Sequence, residues 1–197
     1  MCAGKMNTFS LECIISKYIT PPHARFLGVF AADEVADAAT ADAETATCFV
    51  ANTDPAEKPG EHWVAFFYDH PRCRPRYLYF FDSYGETAAD YGFTVHGSHI
   101  LSNPHCLQGL YSKVCGEYCM LYLILRAHGV HHLAACNWFA ALSPISRDAR
   151  IHAAAATLAS RVGNCALDCL VCHKRRRARQ IPQCCTSPAQ CKNKTTS

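Results

Sequence analysis

The chain contains 197 residues, of which 50% are apolar, 11% aromatic and 18% charged, and its formal net charge is +3. This is the composition of an ordinary globular domain, and it excludes a wholly disordered or collagen-like chain. Because no apolar run reaches the ~18 residues that a membrane span needs, the sequence also predicts a protein without a membrane helix.

Hydrophobic spacing predicts helices at both ends of the chain's main body, around a central group of strands. Apolar residues recur at helical spacing from Leu11 to Tyr18, and Pro21-Pro22 ends that helix. Ser143-Pro144 is typical of a helix start. The predicted elements are a helix over 8–19, strands over 48–52, 62–68 and 76–82, and helices over 115–128 and 144–162. Residues 33–47 form either a polar connection or a poorly packed helix. This order predicts an α+β fold.

The N-terminus and the cysteines indicate the cellular compartment. Glu12 and Lys17 interrupt the first apolar run, so the sequence predicts no secretory signal. Intracellular thiols are kept reduced, and we therefore expect most of the fourteen cysteines to be free. Cys48 and Cys136 lie in apolar runs and are interpreted as small core residues. The expected protein is soluble and intracellular.

Charge divides the chain into a folded domain over 1–173 and a basic, disordered tail over 174–197. The tail has seven basic residues and no acidic one, which leaves the body with 12 basic and 16 acidic residues, a net charge of −4. Pro182, Pro188 and many polar residues favour disorder in the tail. The basic residues of the tail are Lys174, Arg175, Arg176, Arg177, Arg179, Lys192 and Lys194.

Cysteines at and after the domain boundary leave two interpretations open. A structural zinc site needs four ligands at regular spacing, and only Cys169 and Cys172 have the spacing of a Cys-x2-Cys pair. The sequence therefore favours a protein without a metal. The basic run is better interpreted as a solvated arm that binds DNA phosphates without sequence preference or directs import into the nucleus. The residues of this arm are Lys174, Arg175, Arg176 and Arg177.

Three segments carry residue types that favour catalysis. His62 precedes a hydrophobic strand, and Asp82 ends the next strand before the turn Ser83-Tyr84-Gly85. Gln108 lies seven residues before Cys115, which opens an apolar helix. Each has a plain structural interpretation: a core histidine, an aspartate that bonds its own turn, and a buried helical cysteine. The four together, in the order His, Asp, Gln, Cys, favour a cysteine nucleophile and its base.

The start of a helix is a favourable place for a reactive thiol. The thiolate is the nucleophilic form, and the amide donors and partial positive charge of a helix N-terminus stabilise it. His62 would take the proton of Cys115, and Asp82 would orient the imidazole ring. Gln108 could donate its side-chain amide to an oxyanion beside the backbone amide of Cys115. Gly116 is expected to leave room for a substrate backbone.

These segments resemble adenain, the adenovirus-type cysteine endopeptidase, which belongs to one clan with the Ulp-type SUMO proteases. The resemblance covers roughly residues 8–165. Its specific parts are the run from Gly60 to Phe66 around the histidine and the run from Tyr79 to Gly85 around the acidic residue. A third specific part is the seven-residue spacing between Gln108 and Cys115, with Cys119 as a second cysteine on the same helix.

The resemblance implies a papain-like site in permuted order, on a central mixed sheet with flanking helices. Looser matches are the lead-in from Cys48 to Thr53 and an early loop from Arg25 to Phe30. An aspartate stands where some adenains carry glutamate, and the hairpin between the histidine and this aspartate looks longer than in mammalian adenains. The residues that take the family's catalytic roles by this likeness are His62, Asp82, Gln108 and Cys115.

The resemblance also implies substrates and cofactors. Adenain-like activity would be the maturation of capsid and core precursors at Gly-containing sites, by a monomeric enzyme of the host nucleus and virion. Adenains use DNA and a viral activating peptide, which pairs with a thiol. Cys106 is a candidate for that thiol, although it precedes Cys115 by fewer residues than in the family. The basic, cysteine-containing tail is the expected DNA site and a candidate mimic of the peptide.

Two other classes of function stay open. One is a cellular Ulp-type protease that acts on SUMO or ubiquitin-like modifiers. The other is a non-catalytic, DNA-binding module on the same fold. The small size, without a long N-terminal regulatory region, favours the viral type over the cellular one, and the presence of all four site residues argues against a dead copy.

Overall fold

The computed structural model describes residues 7–35, 44–70, 77–94 and 99–162, which belong to one compact unit ending at Val162. Within these ranges the chain forms an α+β fold of five strands and four α-helices. In chain order the elements are α1 (Thr8–Tyr18), β1 (Arg25–Phe30), β2 (Thr47–Asn52), β3 (Trp63–Tyr68), β4 (Tyr77–Phe81), β5 (His99–Ser102), α2 (Cys115–Ala127), α3 (His132–Ala140) and α4 (Arg147–Val162). Two short 3-10 helices span Ala32–Glu34 and Ala88–Tyr91.

The five strands form one mixed sheet in the order β1-β2-β3-β4-β5. The two outer pairs, β1 with β2 and β4 with β5, are parallel. The central pairs, β2 with β3 and β3 with β4, are antiparallel. The pairing of Ala65 with Phe81 sets the start of β3 beside the end of β4, and both catalytic candidates of this region lie next to that point.

The central strands are buried on both faces. All six residues of β2 and all six of β3 are buried, so apolar residues occupy consecutive positions in these strands instead of alternating with polar ones. On one face, residues such as Cys48 and Phe67 join a core with all four helices. On the other face, Phe49 and Phe66 pack with residues of the connecting segments, among them Phe93.

Most of the predicted elements are confirmed within a few residues. The fold class, the mixed sheet with flanking helices, α1, the three predicted strands and α2 agree with the structure. The apolar stripe of the last helix is also confirmed, since Ile151 and Ala155 are buried and Leu158 packs against the core. Cys48 and Cys136 are fully buried, as expected of core cysteines.

Two expectations about local structure are wrong. The segment Arg25–Phe30 is not a loop but strand β1, which pairs in parallel with β2. The last helix begins at Arg147 rather than at Pro144. Ser146 donates its backbone N–H to the carbonyl of Ser143, so that Pro144 lies inside a turn before the helix, where its fixed φ angle is favourable.

Other expectations fall partly outside the described residues. The hairpin loop with its two prolines, part of the 33–47 segment and the whole predicted tail lie there, as does the predicted domain boundary at residue 173. Of the helices that the structure describes, none is long and apolar enough to cross a membrane.

Candidate active site

The antiparallel pairing of β3 and β4 brings His62 and Asp82 together. His62 immediately precedes β3 and Asp82 immediately follows β4, and the His62 Nε2 atom lies 2.5 Å from the Asp82 Oδ1 atom. Asp82 is completely buried and His62 is nearly so. The aspartate therefore reaches the histidine ring, as the sequence predicted for a residue that orients a base.

The Asp82 carboxylate is held in place by several donors besides His62. Its Oδ1 atom accepts the backbone N–H of Tyr84 at 3.1 Å, and its Oδ2 atom accepts that of Glu86 at 3.0 Å. The Tyr91 hydroxyl also donates to Oδ2 at 3.1 Å. These contacts agree with the plain interpretation of Asp82 as a turn residue, and the turn fixes the carboxylate that faces the histidine.

Asn103 fixes the backbone of the same residue. Its side-chain oxygen accepts the Asp82 backbone N–H at 2.8 Å, and its side-chain nitrogen donates to the Asp82 carbonyl at 2.8 Å. The same nitrogen donates to the carbonyl of His105 at 3.0 Å. Asn103 directly follows β5, so the parallel pairing of β4 and β5 places it beside the end of β4.

Cys115 is the first residue of α2, and its thiol is close enough to His62 to contribute to the raised pKa of the imidazole. Since Nε2 of the histidine is engaged by Asp82, Nδ1 is the ring nitrogen that remains for the sulfur. Burial acts to lower the pKa of His62, but the hydrogen bonds and charges of Asp82 and Cys115 outweigh it and raise the pKa to about 9. The ring is therefore kept as an imidazolium at neutral pH, the form that stabilises a neighbouring thiolate.

Gln108 is buried between the turn after β4 and the segment that leads to α2. Its Oε1 atom accepts the Ser83 hydroxyl at 2.7 Å, which fixes the orientation of the amide. Its Nε2 atom donates to the carbonyl of Ser112 at 2.8 Å and to the Tyr84 hydroxyl at 3.2 Å. Both amide hydrogens thus have acceptors, one of them the hydroxyl of a residue that lines the pocket at Cys115.

The pocket beside Cys115 has a volume of about 340 Å³. Leu110 and Tyr111 project from its rim and are 79% and 95% exposed. The loop that carries them is anchored at its start, where Gly109 donates its N–H to the Asp148 carboxylate of α4 at 3.0 Å. The residues that line the pocket are Glu61, Tyr84, Leu110, Tyr111, Ser112, Lys113 and Cys115.

Gly116 is buried and is not among the residues that line this pocket. A Cβ atom on this residue would lie 3.4 Å from Leu11 of α1 and from Trp63 of β3, which is an ordinary packing distance. Cys119, the second cysteine of α2, is also a core residue, and its thiol contacts the carbonyl of Trp63 at 3.2 Å. Burial raises the pKa of Cys119 well above its usual range.

Cys106 is an exposed free thiol two residues before Gln108. Its Sγ atom lies 3.8 Å from the carbonyl oxygen of Gln108. The other candidate cofactor residues, Lys174 to Arg177, lie outside the described part of the chain. In the ranges that the structure does describe, no group of three or more metal-binding side chains is present.

Sequence reasoning missed four residues of this site: Ser83, Tyr84, Tyr91 and Asn103. The first two lie inside the turn that follows Asp82, so the motif itself contained them. Tyr84 is placed over the histidine, with the ring centroids 4.6 Å apart and the planes at 31°. The position of Asn103 after a short strand was not visible because that strand was not predicted.

Comparison with known proteins gives a fold and no sequence family. No family model matches the chain, and no curated protein matches it. Among solved structures it is similar to the ASFV pS273R protease, with a TM-score of 0.50 and 15% identity over 76% of this chain and 67% of that one. The chain has the fold of a viral protease.

Two further solved structures are similar at lower scores. The central domain of the uncharacterized protein Lpg1148 from Legionella pneumophila has a TM-score of 0.47 and 13% identity, over 80% of this chain and 98% of that one. HopZ1a in complex with IP6 and CoA has a TM-score of 0.41 and 12% identity, over 68% of this chain and 49% of that one. At these identities the likeness concerns the fold alone.

Proposed function

We propose that this chain is a cysteine endopeptidase of the viral maturation type, with Cys115 as nucleophile and His62 as its base. The observation that carries the proposal is the position of His62, which is hydrogen-bonded to the buried Asp82 and whose pKa is raised further by the thiol at the start of α2. A histidine, an orienting group and a nucleophile in hydrogen-bond reach are the minimum arrangement for covalent hydrolysis by a thiol.

The proposed reaction follows from these contacts. The Cys115 thiolate attacks the scissile carbonyl carbon, a C–S bond forms, and the carbonyl oxygen becomes an oxyanion. When the C–N bond breaks, the His62 imidazolium gives its proton to the leaving amine and an acyl-enzyme remains. The neutral His62 then takes a proton from water, whose oxygen attacks the thioester and releases the acid. Asp82 keeps the ring oriented and stabilises its charged form.

We assign the enzyme to the adenain type, with a papain-like site in permuted order. The support is the order of His62, Asp82, Gln108 and Cys115 in the chain and the fold that it shares with the protease of a virus. The proposed substrates are precursor polypeptides of capsid and core, cleaved at Gly-containing sites. The proposed places of action are the host nucleus and the virion, where the enzyme would be a monomer.

DNA and an activating peptide are the proposed cofactors, and no metal takes part. Support for the peptide comes from Cys106, whose exposed thiol lies two residues from Gln108 and is therefore accessible to a disulfide partner. Support for DNA comes from the charge of the tail, with the run Lys174, Arg175, Arg176 and Arg177 as the proposed contact.

Replacing the nucleophile tests the proposed activity. Cys115→Ala is expected to abolish cleavage of a peptide library, read by mass spectrometry, while the circular dichroism spectrum stays that of the wild type. Iodoacetamide should label Cys115 of the wild type before the exposed Cys106, because an activated thiol reacts faster than an ordinary exposed one. His62→Ala is the matched control, since it keeps the thiol but should slow its labelling.

Three outcomes would count against this proposal. They are normal cleavage by Cys115→Ala, faster labelling of Cys106 than of Cys115, and no effect of His62→Ala on the labelling rate. Cleavage of folded ubiquitin-like modifiers, with no library peptide cut, would replace the maturation activity by the Ulp-type alternative.

A further inference from the structure

Tyr84 connects Gln108 with the pocket beside the nucleophile. Gln108 is 3% exposed and is not among the residues that line this pocket, whereas Tyr84 and Cys115 both line it. The Gln108 Nε2 atom donates to the Tyr84 oxygen at 3.2 Å. The amide that was expected to contact an oxyanion thus donates to the hydroxyl of a residue that lines the pocket at Cys115.

This hydroxyl has a proton to donate. In the described part of the chain, the Tyr84 hydroxyl makes one hydrogen bond, which it accepts from Gln108. No acceptor in that part of the chain takes the hydroxyl proton. Burial, and next to it the nearby Cys115, raise the pKa of Tyr84 above its usual range, so the phenol stays protonated through neutral pH. A hydroxyl that accepts one hydrogen bond is polarised and becomes a stronger donor in the next one.

We propose that Tyr84 is a catalytic residue whose hydroxyl donates to the oxyanion and is polarised by Gln108. When the Cys115 sulfur bonds to the carbonyl carbon, the electron pair of the C=O π bond moves to the oxygen, and the Tyr84 O–H donates a hydrogen bond to it. No proton is transferred in this step. The Ser83 hydroxyl fixes the Gln108 amide from its other end, so the chain of donors runs from Ser83 through Gln108 to Tyr84.

The inference rests on the proposed function, and Tyr84→Phe tests it. This change removes the hydroxyl and keeps the ring that lies over His62. Loss of one oxyanion donor costs about 10²-fold or more in kcat where it has been measured, and we expect at least ~10-fold here because the Cys115 amide remains as a donor. KM for the best-cleaved library peptide should change little. Tyr18→Phe is the matched control, because its hydroxyl donates to the Leu158 carbonyl away from the site and its loss should leave kcat unchanged.

Two chemical probes separate this role from a structural one. The aldehyde of the best-cleaved peptide forms an adduct with an oxyanion-like oxygen, so its affinity should fall in Tyr84→Phe by about the same factor as kcat. Iodoacetamide alkylates Cys115 without forming an oxyanion, and its rate should be unchanged. A hydroxyl that only supported the fold or the His62 ring would change both probes together.

A double-mutant cycle with Gln108→Ala tests the connection between the two residues. If Gln108 acts through the Tyr84 hydroxyl, the two losses in kcat should not multiply, and the double variant should be about as slow as the slower single variant. Multiplying losses would show that the two residues act independently and would overturn the relay.

The failure of the inference and that of the proposed function can be told apart. A wild type that cleaves no peptide of the library contradicts the function itself. A Tyr84→Phe variant with wild-type kcat and aldehyde affinity contradicts the inference alone. A Tyr84→Phe variant that is faster than the wild type would show that the hydroxyl blocks the oxyanion position, which also overturns the proposed role.

Discussion

Burial of the His62 ring acts to lower its pKa, and the hydrogen bond with Asp82 is the largest effect that raises it, followed by Cys115 and then by the charge of Asp82. Because the raised value is about 9, the imidazolium persists below that pH and is lost as the pH rises through it. Stability that this contact contributes to the fold has the same sign: it is complete below the ordinary histidine pKa of ~6.5 and disappears as the pH rises through 9.

The prediction at this residue is for Asp82→Asn. Peptide hydrolysis by the wild type should decline only as the pH approaches about 9. The amide variant keeps a hydrogen-bond partner for the ring but loses the charge, so the decline should begin at a lower pH. We also expect kcat to fall about 10²-fold or more, since an uncharged partner no longer supports the imidazolium. Rate profiles between pH 5 and 10 measure both effects.

Tyr91→Phe is the control for this experiment. It removes one donor to the Asp82 carboxylate but leaves the charge and the contact with His62 in place. Its effect on the pH of decline should therefore be much smaller than that of Asp82→Asn. An alkaline limb at the same pH in the wild type and in Asp82→Asn would show that this carboxylate does not set the charge of the histidine.

At the scale of elements, the site is built around the turn after β4. Asp82 faces the histidine, while Ser83 and Tyr84 hold Gln108 from two sides. The Ser83 carbonyl also accepts the backbone N–H groups of Leu107 and Gln108 at 2.8 and 2.9 Å. One turn thus positions the base and the segment of Gln108 against each other, and a change in its backbone should disturb both.

Gly85 closes this turn, and its replacement tests the coupling. Its φ angle of +83° favours glycine, and a Cβ atom would lie 2.8 Å from the backbone nitrogen of Cys106. Gly85→Ala should therefore both strain the turn and push the segment of Gln108 away. Gly129, with a φ angle of +86° and no atom within 4 Å of the added Cβ, offers a matched control.

We expect Gly129→Ala to lower the free energy of unfolding by about 1–2 kcal/mol from backbone strain, without a change in kcat. Gly85→Ala should lose more stability than that, and its kcat should fall as well. Urea unfolding and peptide hydrolysis on both variants measure the two effects. A Gly85→Ala variant with the kcat of the wild type would mean that the turn does not position Gln108 for the reaction.

The strands that carry the site could be predicted from the sequence because they are aromatic-rich runs buried on both faces. Since His62 and Asp82 flank two consecutive strands, an antiparallel hairpin was enough to bring them together. β5 could not be predicted in this way, because its residues His99 and Leu101 are exposed and the strand exists through its pairing with β4.

The remaining parts of the site depend on contacts that local sequence does not encode. Ser83 and Tyr84 contact Gln108 across 25 and 24 residues, and Asn103 contacts Asp82 across 21. Such partners have no periodicity or spacing that would indicate them. The surroundings of Gly116 have the same origin, since its neighbours Leu11 and Trp63 come from α1 and β3.

At the scale of the whole molecule, charge is separated between body and tail. Residues 174–197 carry seven positive charges and the preceding residues a net charge of −4. An acidic body repels DNA, whereas a basic tail displaces condensed counterions from it, so we expect most of the affinity for DNA to lie in the tail. The competing interpretation is a basic patch on the body that consists of Arg72, Arg74, Arg76 and Lys113.

Substitution in the full chain separates these two interpretations. Replacing Lys174, Arg175, Arg176 and Arg177 by serine removes four of the charges, and the slope of the logarithm of affinity against the logarithm of salt concentration should fall by about 3 to 4 if each contacts a phosphate. Replacing Arg72, Arg74 and Arg76 by serine is the matched comparison and should change the slope little. Fluorescence anisotropy with a mixed-sequence duplex measures both.

A chain that ends at His173 extends the same test to activation. Since the last described helix ends at Val162, this chain keeps every described element of the fold, and it should lose most of its affinity for DNA. If DNA activates the enzyme through the tail, it should raise the peptidase rate of the full chain and raise that of the shortened chain less. Unchanged affinity and salt slope after removal of the tail would refute the tail as the DNA site and favour the patch on the body, because nonspecific affinity follows the charges that neutralise phosphates.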